Sequence, residues 1–395
     1  MNALVGHLRA REGELVAHIK ALVEAESCSE DVPAVEQCAE LLDSIGTSML
    51  GRSATRGIVG DYPYLAWSGH APKLALLGHF DTVWPTGTLR RRPVAVQGRR
   101  LYGPGVLDMK AGIIQGLAAA SEVGLDGVTI LLTSDEELGS PHSRPLIEKL
   151  AGEVDAVLVL EPASGDSLKI ARKGVGVYRM RVGGRAAHAG LEPDLGINAT
   201  VEAAHAVLWA TTLADDDTET TVTPTVIQGG VTVNTVPASA ELTLDVRAWT
   251  PAELNRVEQA LAGYRPSIEG ASAAIERSSC RPPLERDRSA ALFEVASRIA
   301  PAVGLSGLTG RAVGGGSDGS ITASTGTPTL DGLGAVGDGA HTEAEYIELD
   351  EVAPRAALVA ALIHELRGNP STLARETRTT QSEPPVTHNH ERSRG

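Results

Sequence analysis

Three apolar runs of the sequence each lead directly into side chains that can bind metal ions or move protons. The runs cover residues 74–77, 128–132 and 156–160, and the polar side chains that follow them are His79, Asp81, Asp135, Glu136, Glu137 and Glu161. One acid after one strand is usually only the cap of the next helix. In open α/β sheets, however, the carboxyl ends of the strands meet at a crevice where ligands bind. The pattern therefore predicts one shared site.

Asp108 adds a further carboxylate from the Gly-rich loop over 103–108. So many acids in one crevice would repel one another unless cations neutralise them. Imidazole and carboxylate ligands without thiolate suit zinc or a similar divalent ion at a catalytic site. The residues therefore predict a catalytic metal site.

The adjacent pair Glu136 and Glu137 allows a division of labour. One carboxylate can bind metal, while the other stays free to accept a proton from the attacking water. Asp81 stands two residues after His79, where it can accept the second N–H of the imidazole and fix its orientation. A turn cap is the alternative role for Asp81.

These side chains need a sheet that brings them together. The three runs are continuously apolar, as expected for parallel strands that are covered on both faces. The Ala-rich segment 109–123 after Asp108 has helical spacing and no proline, so we expect a helix there. The predicted fold class is α/β, with a mixed, mostly parallel sheet covered by helices.

The pattern changes after the third run. Apolar and polar residues alternate in 177–182 and 242–247, which predicts half-exposed strands and places Arg247 on the face opposite the apolar residues. Segments 197–210 and 251–264 have helical spacing. Two helices on one antiparallel sheet would form a small α+β domain inserted into the larger one. We expect the catalytic domain over 1–172 and 283–368, the inserted domain over 173–282 and a disordered tail over 369–395.

The composition narrows the class of protein. The chain has 35 Lys and Arg residues against 50 Asp and Glu, a formal charge of −15, and only 4 Trp, 6 Tyr and 2 Phe. Nucleic-acid binding usually needs a cationic face and aromatic stacking platforms, so we do not expect it. Small molecules and metal cations are the expected partners.

The sequence also indicates the cellular compartment in which the protein is expected. Cys28, Cys38 and Cys280 fit neither a disulfide framework nor a thiolate zinc site, and we expect buried free thiols. Charges interrupt the segment 1–27, which is predicted to be an amphipathic helix and not a signal peptide. No stretch reaches the roughly 20 apolar residues that cross a bilayer. We therefore expect a cytoplasmic protein with no membrane partner.

Six segments together resemble the motifs of a known family. They are GHFDTVWP (78–85), GPGVLDMKAG (103–112), TSDEELGS (133–140), LEPA (160–163), RAAHAGLEPDLGINA (185–199) and GAHTEAEY (339–346). They resemble the co-catalytic zinc metallopeptidases, which include glutamate carboxypeptidases of the carboxypeptidase G type, acetylornithine deacetylase, succinyl-diaminopimelate desuccinylase and aminoacylase. The resemblance extends over residues 10–368.

The resemblance implies ligands for two zinc ions per chain, with Co²⁺ or Mn²⁺ as alternatives. His79 and Glu161 would bind one ion, Glu137 and His341 the other, and Asp108 both. Glu136 would be the general base, and Asp81 would orient His79. His341 stands out only through the family, because a single histidine among 11 carries no signal of its own.

The resemblance also assigns roles to the inserted domain, which in this family is a ferredoxin-like lid and dimerisation domain. His188 would reach into the partner's site of a homodimer and help to stabilise the oxyanion. The groups that would contact the substrate carboxylate are Asn234, Arg247, Arg281 and Gly316. A surface salt bridge is the alternative for the arginines. An ordinary turn is the alternative for the loop over 314–319, which lacks the lysine of a phosphate-binding loop.

The expected function is a dinuclear zinc hydrolase that cleaves an amide bond and releases a C-terminal amino acid, with glutamate as the preferred one. Its substrates would be small N-acyl or peptidyl amino acids. An N-acyl-amino-acid deacylase or a dipeptidase of the same family is the near alternative. A non-catalytic metal-binding scaffold is the alternative from another class.

Overall fold

The structure, a computed structural model, describes residues 2–368. The prediction of a disordered tail over 369–395 concerns residues outside this range. The helices are α1 (Asn2–Ala10), α2 (Glu12–Glu24), α3 (Val32–Leu50), α4 (Ala111–Val123), α5 (Arg144–Glu153), α6 (Ala199–Thr211), α7 (Pro251–Ala262), α8 (Arg286–Ile299), α9 (Asp318–Ser324) and α10 (Val352–Gly368). The strands of the first half are β1 (Thr55–Val59), β2 (Tyr62–Ser68), β3 (Leu74–His79), β4 (Ala95–Gln97), β5 (Arg100–Tyr102), β6 (Val128–Thr133), β7 (Ala156–Val159) and β8 (Leu168–Arg172). Those of the second half are β9 (Gly174–Gly183), β10 (Thr221–Gly229), β11 (Ser239–Ala248), β12 (Ser272–Arg281), β13 (Gly310–Val313), β14 (Thr329–Leu330), β15 (Gly337–Asp338) and β16 (Tyr346–Glu348).

The largest sheet has six strands in the order β1-β2-β6-β3-β7-β14. β3 lies at its centre and runs parallel to both β6 and β7, and β14 is parallel to β7. β2 is antiparallel to β6, and β1 is antiparallel to β2. Every residue of β3, β6 and β7 is buried, as their apolar sequences require. The predicted mixed, mostly parallel sheet is confirmed, and the carboxyl ends of its three central strands share one edge.

Helices cover this sheet and complete its core. α4 occupies the predicted segment and is buried along its length from Ala111 to Ala120. It packs against α10, which is likewise buried on nearly all sides. Gly112 of α4 and Gly334 approach the strand end before Glu161, because a Cβ at either position would lie 2.1 or 2.2 Å from the carbonyl oxygen of Leu160. Glycine at both positions lets the surrounding elements close around that strand end.

A second sheet carries the α+β part of the fold. Its order is β10-β11-β9-β12, all neighbours are antiparallel, and α6 and α7 pack on one face. Alternate residues of β9 and β11 are buried, as the sequence predicts. Thr250 caps α7 by accepting from the backbone N–H of Glu253 at 3.3 Å, and Pro251 begins the helix. The inserted α+β arrangement is confirmed.

The chain enters and leaves this second sheet through adjacent segments. The backbone N–H of Arg172 donates to the carbonyl oxygen of Leu284 at 2.9 Å, and Leu284 donates back at 3.1 Å. β9 begins just after this pair, and β12 ends just before it. The second sheet is therefore joined to the rest of the fold through two adjacent chain segments.

The N-terminal segment differs from its prediction. It forms two helices, α1 and α2, with a break at Arg11 instead of one continuous helix. The guanidinium of Arg11 reaches the end of α4, where it donates to Glu122 Oε1 at 2.7 Å and to Ser121 Oγ at 3.0 Å. Leu8 and Leu15, on either side of the break, are both fully buried. Turning the chain at Arg11 lets both helices pack their apolar faces on the core.

Two further expectations can be compared with the fold. All three cysteines are free thiols, but only Cys38 is buried, while Cys28 and Cys280 are half-buried. Over residues 2–368, no helix has the length and apolar character that crossing a membrane demands.

Candidate active site

The polar residues after the central strands meet at one edge of the largest sheet. His79 is the last residue of β3, a single helical turn over Glu136–Leu138 follows β6, and Glu161 follows β7. They border a cleft of about 490 Å³ between the two sheets. Of the residues that the sequence singles out, the cleft is lined by Asp108, Glu136, Glu137, Glu161, Arg247, Arg281, Gly316 and His341. His79 lies beneath it, with 1% of its surface exposed.

Asp108 stands between the two histidines. Its Oδ1 lies 3.3 Å from His79 Nε2, and its Oδ2 lies 3.4 Å from His341 Nε2. His79 Nε2 is also 3.5 Å from Glu161 Oε1, and His341 Nε2 is 3.2 Å from Glu137 Oε1. The geometry thus has two lobes, each with one imidazole and one glutamate, joined by a shared aspartate.

Glu136 and Glu137 both lie near His79 but have different hydrogen-bond partners. Ligand atoms of His79, Asp108 and Glu137 lie within 4.8 Å of one another, and so do those of His79, Glu136 and Glu161. Distance alone therefore does not separate the two glutamates. Arg281 donates to Oε1 of Glu136, whereas Oε1 of Glu137 has no hydrogen-bond partner in the described part of the chain. These partners favour Glu137 as a ligand and leave Glu136 for proton transfer.

Orphaned polar atoms at the centre of the site fit a divalent metal pair. His79 Nε2, Asp108 Oδ1 and Glu137 Oε1 are buried and lack hydrogen-bond partners among residues 2–368. Buried polar atoms of folded proteins are nearly always satisfied, so unpaired ones at a site call for a partner. Imidazole nitrogens and carboxylate oxygens are ordinary zinc donors. The residues present therefore fit the implied metal ions.

The carboxylates control the charge of both imidazoles. Contacts with Asp108 and Glu137 raise the pKa of His341 to about 10. Burial would lower the pKa of His79, but the surrounding carboxylates, Asp108 first among them, hold that pKa well above its ordinary value. Burial would raise the pKa of Asp108, but its contacts with the two histidines keep it below the usual range. Since metal binding requires neutral imidazole, divalent cations would replace the protons that these carboxylates hold in place.

Asp81 connects His79 to the glutamate turn. His79 Nδ1 lies 3.3 Å from Asp81 Oδ1 and 3.2 Å from the carbonyl oxygen of Asp81. The same carboxylate accepts the backbone N–H groups of Glu136 at 3.3 Å and Glu137 at 3.1 Å, and the hydroxyl of Ser29 at 2.7 Å. The carboxylate therefore caps the turn and also lies beside the imidazole, so the geometry fits both roles considered for Asp81. Ser29 carries no sequence signal that would have found it.

Arg281 lies against Glu136 and not free in the cleft. Its Nη1 donates to Glu136 Oε1, and its Nη2 donates to the Glu136 carbonyl oxygen at 2.9 Å. Gly316 leaves room for this side chain, because a Cβ there would lie 2.8 Å from Arg281 Cδ. Burial raises the pKa of Glu136 to about 8, although Arg281 opposes the rise. A carboxyl group with such a pKa suits acceptance and return of a proton near neutral pH.

Sequence reasoning missed Arg172, which supports Glu161. Arg172 Nη2 lies 3.0 Å from Glu161 Oε2, and its Nε donates to Asp331 Oδ2 at 2.8 Å. Its Nη1 donates to the carbonyl oxygens of Gly315 at 3.1 Å and Gly316 at 3.0 Å. Burial would raise the pKa of Glu161, but Arg172 and the neighbouring cations lower it to about 2. A basic residue at the end of a strand has no distinguishing pattern, so nothing in the sequence marks it.

Arg247 reaches the cleft from the second sheet. It lies on β11 opposite Leu242 and Leu244, which are fully buried, as the alternation predicts. Its Nη1 donates to the carbonyl oxygen of Gly314 at 2.8 Å, and its Nε donates to Asp245 Oδ1 at 2.8 Å. The guanidinium therefore bridges the second sheet and the glycine loop beside the cleft.

His188 and Asn234 do not line this cleft. Both are exposed, and they lie side by side because Ala189 N–H donates to the Asn234 carbonyl oxygen at 2.9 Å. His188 Nδ1 accepts from the backbone N–H groups of Gly190 and Leu191, each at 3.1 Å. An Nδ1 that accepts leaves the proton on Nε2, which is then a hydrogen-bond donor.

Comparisons with known proteins agree on one family. The family model described as peptidase family M20/M25/M40 matches residues 75–365, which contain every candidate metal ligand. Carboxypeptidase G2 of a Pseudomonas species is 30% identical over 377 residues, covering 89% of this chain and 89% of its own. Succinyl-diaminopimelate desuccinylase 2 of Shewanella loihica is 30% identical over 331 residues, covering 74% of this chain and 84% of its own.

Solved structures have the same fold at lower identity. Aminopeptidase PepT from Bacillus cereus superposes with a TM-score of 0.70 at 21% identity, over 90% of this chain and 99% of its own. An M20 family metallo-carboxypeptidase from Sulfolobus solfataricus has a TM-score of 0.68 at 17% identity, over 89% of this chain and 98% of its own.

Proposed function

Because the chain belongs to peptidase family M20/M25/M40 and is a hydrolytic enzyme of that family, we propose that it is a dinuclear zinc hydrolase that releases an amino acid with a free α-carboxylate from an amide. One observation carries this proposal. Asp108 divides its two oxygens between His79 and His341, and the carboxylate of Glu136 lies within the same cluster without being needed as a ligand. That arrangement suits two ions that share one carboxylate beside one proton acceptor.

The proposed ligand assignment follows the two lobes. His79 and Glu161 hold one ion, Glu137 and His341 hold the other, and Asp108 contacts both. When bound, the ions would polarise the scissile carbonyl and make water a better nucleophile near neutral pH.

Glu136 is the proposed proton carrier. It accepts a proton from the attacking water and returns it to the leaving nitrogen, as a general base that becomes a general acid. Its burial and raised pKa of about 8 support this role. Arg281 holds the carboxylate in place through Nη1. Both cleft arginines are engaged by carboxylates, Arg281 by Glu136 and Arg247 by Asp245. Turning Arg247 to the substrate carboxylate would leave the proton carrier undisturbed, so Arg247 is the proposed cation for that contact.

The proposed leaving group is glutamate. Carboxypeptidase G2, a relative that matches over 89% of this chain, supports a carboxypeptidase that requires a free carboxylate. The desuccinylase relative supports the alternative, an N-acyl-amino-acid deacylase, and the dipeptidase and tripeptidase structures share only the fold. A non-catalytic scaffold is disfavoured because these relatives are enzymes. Small N-acyl or peptidyl amino acids are the proposed substrates, and the free thiols support a reducing, cytoplasmic location.

A substrate panel tests this proposal. We expect zinc-dependent release of glutamate from N-acyl and peptidyl glutamates at rates above those for N-acetylornithine and N-succinyl substrates. Faster turnover of N-acetyl or N-succinyl substrates would assign the chain to the deacylases. No hydrolysis of any amide in the panel by the zinc-loaded protein would overturn the proposed function.

Arg247→Ala should lower kcat/KM about 10–150-fold for substrates with a free α-carboxylate, the usual value of a charge-assisted pair of ~1.5–3 kcal/mol. Zinc content should stay near that of the parent, because Arg247 touches no proposed ligand. Substrates amidated at that carboxylate should already be poor and should lose little more in the variant, as in a double-mutant cycle with one half on the substrate.

Arg181→Ala is the matched control for Arg247. Arg181 belongs to the same sheet, is exposed, and pairs with Glu276 at 2.9 Å away from the cleft. Its removal should leave kcat/KM unchanged for acid and amide substrates. Equal losses for acid and amide substrates in Arg247→Ala would remove the carboxylate contact and favour an amidase that needs no free acid.

A homodimer is proposed through an apolar face of the inserted domain. β10 is an edge strand of its sheet and exposes Val226 and Ile227, while the neighbouring α6 exposes Val201 and Leu208. Leu208 is 68% exposed. Edge strands with exposed apolar residues are normally covered or paired, and a second copy of the chain would cover this one. Light scattering at micromolar concentration should give the mass of a dimer.

Mixing two inactive variants tests whether His188 acts on the partner's site. His188→Ala and Glu136→Gln chains should each be nearly inactive alone, yet each mixed dimer should contain one complete site. Random exchange in a two-fold dimer would restore about one quarter of the parental activity. No recovery after proven subunit exchange would contradict the role of His188 in trans, and full activity of a monomer would contradict both the dimer and that role.

A further inference from the structure

Glu345 is a fully buried carboxylate whose two oxygens are both occupied by N–H donors. Oε1 accepts from the backbone N–H groups of Leu107 at 2.9 Å and Asp108 at 3.2 Å. Oε2 accepts from the backbone N–H of Gly105 at 2.9 Å and the indole Nε1 of Trp84 at 3.0 Å. Three of the four donors belong to the loop that carries Asp108.

The backbone of Glu345 is fixed as well. Its carbonyl oxygen accepts from Arg92 Nη2 at 3.0 Å and from the backbone N–H of Gly103 at 3.4 Å, and its own N–H donates to the Thr342 carbonyl oxygen at 3.2 Å. The Arg92 guanidinium lies 4.8 Å from the centre of the Trp84 ring. The segment after His341 is therefore tied to the Asp108 loop through both its main chain and one side chain.

His341 sits in a backbone conformation that needs such support. Its φ is +61°, in the left-handed region that residues other than glycine rarely adopt. Its side chain is about half exposed, unlike that of His79, so packing around the imidazole does not fix it. A short turn, in which the Glu345 N–H donates to the Thr342 carbonyl oxygen, connects this exposed imidazole to the buried Glu345.

We propose that Glu345 is a positioning residue that locks the Asp108 loop to the His341 turn and so sets the spacing between the shared carboxylate and the exposed imidazole. The inference rests on the proposed function only in taking these two residues as metal ligands. Glu345 itself contacts no proposed metal or substrate atom. Outer groups that orient metal ligands are typically worth about 10–100-fold in metal affinity or activity.

The donor pattern makes glutamine a severe substitution. A carboxylate offers acceptors on both oxygens, whereas an amide presents an NH₂ group on one side. In Glu345→Gln, that NH₂ must face either the N–H groups of Leu107 and Asp108 or those of Gly105 and Trp84. On whichever side it lies, three N–H donors then point at one another with no acceptor between them. The nearly isosteric change should displace the loop without leaving a cavity.

Titration with Co²⁺ measures the effect independently of turnover. The metal-free Glu345→Gln protein should bind Co²⁺ about 10–100-fold more weakly than the parent, with an altered visible absorption spectrum, because the ligands remain but their spacing changes. Binding with the parent's affinity and spectrum would overturn the proposal.

Glu202→Gln is the matched control. Glu202 is also a fully buried carboxylate, and it accepts from the backbone N–H groups of Ser267 and Ile268 and from the Tyr264 hydroxyl in the inserted domain. It should lower thermal stability to a similar extent while leaving Co²⁺ affinity and spectrum unchanged. An equal loss of Co²⁺ affinity in both variants would mean that Glu345 acts only through general stability, which would overturn the positioning role.

Trp84→Phe keeps the proposal falsifiable if Glu345→Gln does not fold. It retains an aromatic ring under Arg92 but removes the indole donor to Oε2, so Co²⁺ affinity should fall in the same direction by a smaller factor. The double variant Trp84→Phe/Glu345→Gln should regain part of the Co²⁺ affinity that Glu345→Gln loses, because the indole N–H that can face the amide NH₂ is gone. Unchanged affinity in the single variant would overturn the proposal. If the zinc-loaded parent protein hydrolyses no amide of the substrate panel, the proposed function is overturned. If Co²⁺ binding still depends on Glu345 in that case, this inference stands.

Discussion

Glu136→Gln should keep both metal ions and lose about 10²–10⁴-fold in kcat, the usual contribution of a positioned acid–base group. The change removes the proton acceptor but none of the five side chains assigned to the metal ions. The glutamine can still accept from Arg281 through its amide oxygen, so the local fold should persist. Elemental analysis for zinc and steady-state kinetics on one preparation check both halves of this expectation.

Arg281→Gln separates proton transfer from the ion pair that Glu136 makes. If Glu136 acted only by anchoring Arg281, both variants would show the same kinetic loss. We expect Arg281→Gln to retain more turnover than Glu136→Gln and to alter KM more, because it leaves the carboxylate in place. A Glu136→Gln protein that is metal-free, or as active as the parent, would contradict its role as the base.

His79→Ala should lose bound zinc and with it nearly all activity. His79 lies beneath the cleft with its Nε2 near Asp108 and Glu161, so its removal leaves two carboxylates without the imidazole between them. Ligands that bind only the folded state raise its stability, so added zinc should raise the Tm of the metal-free parent. The same addition should raise the Tm of His79→Ala much less.

His142→Ala provides the control for loss of a histidine near the strand ends. His142 stacks on Tyr62 with a ring distance of 5.3 Å and has no place in the proposed ligand set. It should keep the zinc content, the zinc-dependent shift in Tm and the turnover of the parent. Two zinc ions per chain in His79→Ala would show that the ligand assignment is wrong.

The periodicity of the sequence was sufficient to find the central strands and the residues at their ends. Parallel strands buried on both faces are continuously apolar, so β3, β6 and β7 are visible as short runs, and their shared edge follows from the geometry of parallel sheets. The same reasoning grouped His79 with Glu161 and with the pair Glu136 and Glu137. Alternation on β11 likewise oriented Arg247.

Side chains that reach the site from loops were not predictable in this way. His341 enters from a turn far along the chain, and only the family resemblance singled it out. Arg172 and Glu345 are buried charges whose partners do not follow a helix or strand spacing. Arg172 meets Asp331, 159 residues away, as well as Glu161, and Glu345 meets Leu107, 238 residues away. Their contacts depend on how strands and loops pack, which periodicity does not describe.

The groups that a side chain contacts were also harder to predict than the place of that side chain in the fold. Arg281 lines the cleft, but its guanidinium is engaged by Glu136. The family resemblance singled out this residue but not the group that it meets. Arg11, where the predicted N-terminal helix breaks, likewise meets a group that the local pattern does not show. Its attraction to Glu122 at the end of α4 is a contact between distant segments.

The adjacent crossing segments at Arg172 and Leu284 have a consequence for synthesis on the ribosome. The second sheet and its two helices come from one continuous stretch of chain, whereas the fold around the largest sheet is completed only by the segment after Leu284. Until then, β3, β6 and β7 carry their acids without His341, and α4 lacks the cover that α10 later provides. Because Arg172 and Leu284 pair directly, folding of the stretch between them brings the segment before Arg172 and the segment after Leu284 together. We therefore expect the candidate metal site to be assembled among the last events of folding.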